Sequence, residues 1–193
     1  MNISLPLKIW MFRLAGESSN EQLMLRYART GDQHLLARLY DACGNDLYHY
    51  LLTLSEPTLA KDISQKAWLR VMEKKHLFKD SGQFKAWLFT LARNLLIDEI
   101  RSQKDTVDLD EQLSHSHDRQ RDEPLFCRFE QALAALPFAQ REAFCLQQED
   151  FSLEDIAAIT HCPPETVKSR LRYAKAYLRS QLQDYSEDHH GQP

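Results

Sequence analysis

Glycine is scarce, with five in 193 residues. A chain so poor in the residue that serves tight turns and positive backbone angles disfavours a sheet-rich fold, and it has no glycine-rich loop to cradle a phosphate. Cysteine is sparse too: Cys43, Cys127, Cys145 and Cys162 lie far apart with no C-x-x-C pair. That excludes a disulfide framework and a zinc ribbon and leaves reduced structural thiols. Long apolar runs are also missing. Near the start, Leu5, Leu7, Ile9, Trp10, Met11 and Phe12 are interrupted by Lys8 and Arg13, too soon for a membrane span or an export signal core. Residues 1–20 therefore read as a flexible or loosely docked extension, with a membrane-surface helix as the alternative. Positive charge is in no excess: 24 Lys and Arg face 28 Asp and Glu, a net charge of −4. Any nucleic-acid contact must come from local clusters of basic residues. No nucleophile with its base and no metal cluster is visible, so neither an enzyme nor a cofactor is expected.

What the chain does have is hydrophobic residues, 43% of the total, at helical spacing, which makes an all-α fold the expectation. The most informative stretch is SLEDIAAITHCPPETVKSRLRYAKAYLRSQL, Ser152 to Leu182. Ser152 and Asp155 have the spacing of a helix-start cap, and Leu153, Ile156, Ala157 and Ile159 form one apolar stripe. His161 falls where a left-handed turn residue is needed. Pro163 and Pro164 then suit the first turn of a second helix, where a missing N–H costs nothing. In that helix Val167, Leu171, Ala174 and Leu178 recur on one face, and Lys168, Arg170, Arg172, Lys175 and Arg179 fill the others. Two helices with a tight turn and a basic second member outline a DNA-docking helix-turn-helix.

Upstream, Leu23, Tyr27 and Ala28, a Gly31-Asp32 break, and then Leu35, Leu36, Leu39, Tyr40, Leu47, Tyr48, Leu51 and Leu52 predict a helical pair from Glu21 to Leu54. In DISQKAWLRVMEKK, Ile63, Ala67, Trp68, Val71 and Met72 give one apolar face, with Asp62, Gln65, Lys66 and Arg70 outside it. Asp80-Ser81-Gly82 reads as a turn. A long helix follows, marked by Phe84, Trp87, Leu88, Leu91, Leu95, Ile97 and Ile100. Lys85, Arg93, Arg101 and Lys104 interleave with its aromatics, a pattern suited to single strands, which need cations for phosphates and flat surfaces for bases. From Asp105 to Glu123 the periodicity fails in a polar, acidic stretch longer than most connections within a domain, and it reads as an interdomain linker. His115 and His117 sit there without companion metal ligands. Helical spacing resumes with Phe126, Phe129, Ala132, Leu133 and Leu136, and continues past Pro137 with Arg141, Ala143, Phe144 and Leu146.

These motifs, in this order, resemble the bacterial sigma-70 family of RNA polymerase sigma factors, in particular its extracytoplasmic-function group. CPPETVKSRLRYAKAYLR resembles the helix that recognises the −35 promoter element, and FKAWLFTLARNLLIDEIRSQK the helix that melts and reads the −10 element. LMLRYARTGDQHLLARLYDACGNDLYHY resembles the opening of the core-binding domain, and FEQALAALPFAQREAFCLQQEDFSLEDIA the start of the carboxy-terminal one. The resemblance implies two helical domains, 21–104 and 124–184, joined by a flexible linker at 105–123 that threads towards the RNA exit path, with a tail at 185–193. It implies upstream DNA contacts by Thr166, Lys168, Ser169, Arg170, Arg172, Tyr173 and Lys175. It also implies downstream contacts by Phe78, Lys79, Lys85, Arg93, Asn94, Asp98 and Arg101, with 77–84 as a loop that pockets a flipped base. Asp62 and Gln65 would grip the clamp of the polymerase core. The implied partners are RNA polymerase core, promoter DNA and an anti-sigma factor, all in the cytoplasm. The chain departs from the family pattern at Lys66, where a glutamate is usual, at His161, where glycine is, and at Glu165, where a small residue is. A stand-alone helix-turn-helix regulator and a sigma-like adaptor that binds only protein are the alternatives.

Overall fold

A computed structural model describes residues 19–79, 83–106 and 125–189. Among them are eight α-helices: α1 (Asn20–Thr30), α2 (Gln33–Leu54), α3 (Pro57–Lys74), α4 (Phe84–Thr106), α5 (Leu125–Ala135), α6 (Phe138–Gln148), α7 (Leu153–Thr160) and α8 (Pro164–His189). A 3-10 turn, Lys75–Leu77, follows α3. Almost all of the expected linker and of the amino-terminal extension lies outside the described residues, and α4 runs two residues past the expected start of the linker, to Thr106. Helix α8 continues past the expected boundary at 184, as far as His189.

Local chemistry sets the helix ends. The side chain of Ser19 accepts the Gln22 N–H at 3.3 Å to start α1. Gly31, at φ 70°, closes that helix with its N–H on the Tyr27 carbonyl, and Asp32 accepts the His34 N–H at 2.9 Å to open α2. Pro57 occupies the first turn of α3. Helix α4 is capped from a distance: the Glu21 carboxylate on α1 accepts the Phe84 N–H at 3.1 Å.

Helices α1 to α4 pack in sequence order, each on the next, and α8 lies against α5, α6 and α7. The buried stripe of α3 is the expected one, Ile63, Ala67, Trp68 and Val71, with Met72 half-buried beside it. Helix α4 differs. Its fully buried positions are Phe84, Leu88, Phe89, Ala92 and Leu96, whereas Leu91, Leu95 and Ile97 are only half-buried. The reason is that α4 is covered on two sides, by α3 and by α7, so its buried arc is wider than a single amphipathic stripe and turned from it. Tyr40, read as part of the apolar stripe of α2, is 55% exposed and lays its ring 5.1 Å from Trp68, while Tyr50 is buried in its place.

The carboxy-terminal helices do not stand apart from the rest. One continuous apolar cluster runs from Leu23 on α1 through α2, α3 and α4 to Ile156, Val167 and Leu171, and α2 meets α6 as α4 meets α7. At its centre the Phe89 and Phe151 rings meet edge to face at 5.0 Å, a geometry that contributes about 1 kcal/mol beyond the buried area. A smaller cluster of Ala132, Leu136, Ala174 and Leu178 fixes α5 to α8.

Helix α7 has only eight residues and depends on its cap. Replacing Ser152 with Ala removes the hydroxyl that accepts the Asp155 N–H, and a loss of about 1 kcal/mol in urea-unfolding free energy is the expected outcome.

Candidate nucleic-acid interface

The α7–turn–α8 unit is built by the residues that announced it. The Ser152 hydroxyl accepts the Asp155 N–H at 3.1 Å, and the Ser152 N–H donates to the Asp155 carboxylate at 3.1 Å, a reciprocal cap. His161 ends α7 in the left-handed region at φ 53° and ψ 44°, the position glycine would take without strain. The Pro163 carbonyl then accepts the N–H groups of Thr166 and Val167 at 2.9 and 3.2 Å, starting α8.

Helix α8 has two distinct sides. Val167, Leu171, Ala174 and Leu178 are buried, and Lys168, Arg172, Tyr173, Lys175 and Arg179 are exposed. Lys168, Arg172, Lys175 and Arg179 follow i, i+4, i+7 and i+11, so four cations line one stripe. The Arg172 guanidinium lies 5.0 Å over the ring of Tyr173, itself 56% exposed. Thr166, Ser169 and Arg170 are half-buried, and the Arg170 guanidinium donates to the Cys162 sulfur at 3.4 Å, which ties the helix to its turn. Glu165 points into solvent 3.9 Å from Lys168, a pair too exposed to neutralise the stripe.

On α4, Asn94, Asp98 and Arg101 are exposed along one face. Lys85 and Arg93 are not free. The Arg93 guanidinium makes a forked contact with the Glu142 carboxylate on α6, Nε to Oε1 at 2.7 Å and Nη2 to Oε2 at 3.3 Å. Glu142 is 1% exposed, and its Oε1 also accepts the Tyr50 hydroxyl at 3.3 Å. Burial, and then the nearby Glu142 charge, push the Tyr50 hydroxyl well above its usual range. Lys85 donates to the Asp46 carboxylate at 2.8 Å, the Glu149 carboxylate at 3.1 Å and the Glu149 carbonyl at 3.2 Å. Its ammonium also lies 5.7 and 5.5 Å from the ring centres of Phe89 and Phe151. Burial works against the charge on Lys85, and the hydrogen bonds it donates to Asp46 and Glu149 outweigh it, so the proton is held more tightly than usual. Burial raises the Glu149 carboxyl, and because it shares its lysine with Asp46 the attraction only partly offsets that rise.

Phe78 is buried against the Phe84 and Trp87 rings, at 6.1 and 5.5 Å, while Lys79 is exposed. Residues 80–82, the centre of the expected loop, lie outside the described residues. On α3, Asp62 is paired with Lys66 at 2.6 Å, and that hydrogen bond raises the lysine pKa. Gln65 is exposed beside a shallow depression of about 330 Å³ lined by Tyr40, Ser64, Trp68, Leu69 and Met72. Among the described residues no cluster of His, Cys, Asp and Glu suits a metal ion.

Asp46, Tyr50, Glu142 and Glu149 were not anticipated. The sequence carried a signal for two of them: Glu142 on α6 and Glu149 at its C-cap fall seven residues apart, in register with the arc that holds Cys145 and Leu146, so both acids had to face the packed side.

Two family models match the chain in order, Sigma-70 region 2 over residues 39–106 and Sigma-70 region 4 over residues 128–178. The ECF RNA polymerase sigma factor EcfG of Rhodopseudomonas palustris is 36% identical over 135 residues, 67% of this chain and 75% of that protein. SigW of Bacillus subtilis, of the same description, is 27% identical over 178 residues, 83% of this chain and 95% of that one. Among solved structures, the sigma factor RpoE in complex with the anti-sigma factor NepR from Bartonella quintana is similar at a TM-score of 0.63 and 29% identity, covering 76% of this chain and 96% of that one. CnrH in complex with the cytosolic domain of CnrY shares the fold at a TM-score of 0.63 and 19% identity, covering 86% of this chain and 99% of that one.

Burial pushes the thiols of Cys43 and Cys145 up to about 11. At pH 8 only about one in a thousand of each is a thiolate. Titration with a disulfide reagent at that pH should leave both unlabelled until the protein is denatured, and their labelling should rise only as the pH approaches 11.

Proposed function

The chain belongs to the sigma-70 family, in its extracytoplasmic-function group, and so binds bacterial RNA polymerase core and directs promoter-specific initiation; we propose that it divides this work between α8 and α4. Helix α8 reads the upstream element as a duplex. Its cationic stripe of Lys168, Arg172 and Lys175 meets phosphates, and Thr166, Ser169, Arg170 and Tyr173 lie where base edges and sugars would be met. The observation that carries this reading is the two-sidedness of α8, apolar where it packs and cationic where it is open.

Helix α4 and the segment before it open the downstream element, with Asn94, Asp98 and Arg101 along the exposed face and Phe78, Lys79, Lys85 and Arg93 around it. Strand opening draws on binding energy alone: bases leave the stack, at a few kcal/mol each, when the displaced strand finds cations and aromatic surfaces. No catalytic step is assigned to the chain. Asp62 and Gln65, beside the apolar depression on α3, meet the clamp of the polymerase, with the Lys66 pairing lowering the net charge offered there. The relative from Bartonella is bound by an anti-sigma factor, and the same class of partner is proposed for this chain. Among the described residues no helix is long and apolar enough to cross a membrane, in keeping with action in the cytoplasm.

The deciding experiment mixes the purified chain with bacterial core polymerase, isolates the complex and sequences transcripts begun on fragmented genomic DNA. Co-elution with transcripts sharing upstream motifs is expected. Co-elution without initiation would favour a sigma-like adaptor, and DNA binding without polymerase a stand-alone regulator. On a promoter so identified, Lys168→Ala and Arg172→Ala should each weaken the upstream footprint at unchanged stability and lower the salt slope of binding by about one. Asn94→Ala should keep that footprint and lose permanganate reactivity in the melted strand.

A further inference from the structure

The side chain of Trp68 has one polar group, the indole N–H, which can donate and cannot accept. The residue is 7% exposed, and that N–H is buried with no hydrogen-bond partner among the described residues. A buried donor without an acceptor is a standing cost, and indole N–H groups usually find a partner when they are buried. A phenyl ring at this position would pack against Phe84, whose ring centre lies 6.2 Å away, without that cost. The unmet donor points to an acceptor that the free chain does not supply.

Trp68 lines the depression on α3, and the other side chains around it, Tyr40, Ser64, Gln65, Leu69 and Met72, are all neutral. Leu69 is 53% exposed and Tyr40 55%, so the rim is apolar surface open to a partner. The Tyr40 ring rests 5.1 Å from that of Trp68, and a Cβ added to Gly44, one turn along α2, would stand 3.4 Å from it, so the ring lies over the space this glycine leaves. We propose that Trp68 is a specificity-determining residue for polymerase core: the clamp seats an apolar side chain against Leu69 and Met72 and presents a neutral acceptor, a backbone carbonyl or a carboxamide, to the indole N–H as Tyr40 turns aside. This rests on the reading of Asp62 and Gln65 as clamp contacts, and Gln65 borders the same depression. The donor is already stripped of water in the free chain, so bonding to the clamp breaks no bond to water on its side, and more of the bond's strength appears as affinity. A clamp with no acceptor at that point leaves the donor unpaired and is discriminated against. Because the lining is neutral, the contact acts on dissociation and not on encounter.

The test passes the full chain over immobilised bacterial core polymerase, reading rate constants by surface plasmon resonance, and follows thermal unfolding of the free chain. In one variant benzothienylalanine takes the place of Trp68, which keeps the bicyclic shape and exchanges the N–H for sulfur. It should dissociate about tenfold faster, with the association rate unchanged and the unfolding temperature unchanged or raised. Trp68→Phe should dissociate faster to a similar degree, and if it loses helix content the isostere alone decides. A role in packing predicts the reverse, an isostere that binds as the wild type does beside a destabilised Trp68→Phe. An isostere with wild-type dissociation, or one whose faster dissociation comes with a fall in unfolding temperature, would overturn the proposal. Leu69→Glu, at an exposed position, separates this from the reading beneath it. If Leu69→Glu abolishes core binding and the isostere changes nothing, α3 meets the clamp and only the role of Trp68 falls. If Leu69→Glu binds core as the wild type does, the clamp reading falls and the proposal with it.

Discussion

A carboxylate with 1% of its surface open to water cannot stay charged without partners, and Glu142 finds two, Arg93 on α4 and Tyr50 on α2. That requirement fixes how the two halves meet. Helix α6 must reach both α2 and α4 at once, and in doing so it brings Phe151 onto Phe89 and Glu149 onto Lys85. A slide of one helical turn, about 5 Å, would part Glu142 from Arg93 and Tyr50 and leave that buried carboxylate without a partner, so the polar contacts select a single arrangement from the many an apolar face alone would accept.

The helix-turn-helix rests on a different principle, local and nearly self-contained. The reciprocal cap of Ser152 and Asp155 begins α7, and His161 ends it with a left-handed backbone. The family's usual glycine would adopt that conformation more easily, yet histidine holds it, because Cys162 donates its N–H back to the Ala157 carbonyl at 3.1 Å and the prolines restart the chain at once. Glu165 points outward at the start of α8, where a negative charge suits the helix dipole and leaves the cationic stripe exposed beyond it. Neither departure from the family pattern disturbs the unit.

Lys66 acts on its surroundings more directly. By pairing with Asp62 one helical turn away, it replaces what would be two negative charges with a neutral pair beside Gln65 and the apolar depression on α3. A surface of that kind attracts a basic partner less strongly from a distance and depends more on close packing, in which Leu69 and the Trp68 and Tyr40 rings supply the area. The chain thus offers cations on α8, a mixed and mostly neutral groove on α3, and on α4 two cations, Lys85 and Arg93, that are already neutralised from within.

The helices, most of their caps and the two-sided character of α8 were legible in the sequence, because each depends on residues within a turn or two of one another: Ser152 with Asp155, Gly31 with Tyr27, Val167 with Leu171; the cap of α4 was not, since it comes from Glu21, 63 positions away. The order of its motifs likewise made the family legible. Which cations are free was beyond it. Lys85, Arg93 and Asn94 look alike as polar positions on an amphipathic helix, yet Asn94 is open while Arg93 is held by a residue 49 positions away and Lys85 by one 64 positions away. Periodicity reports the face on which a side chain lies, and it is blind to what is packed against that face. That Glu142 and Glu149 pair with Arg93 and Lys85 was settled by the folded chain, because a buried charge must find its opposite wherever the packing of distant segments places it.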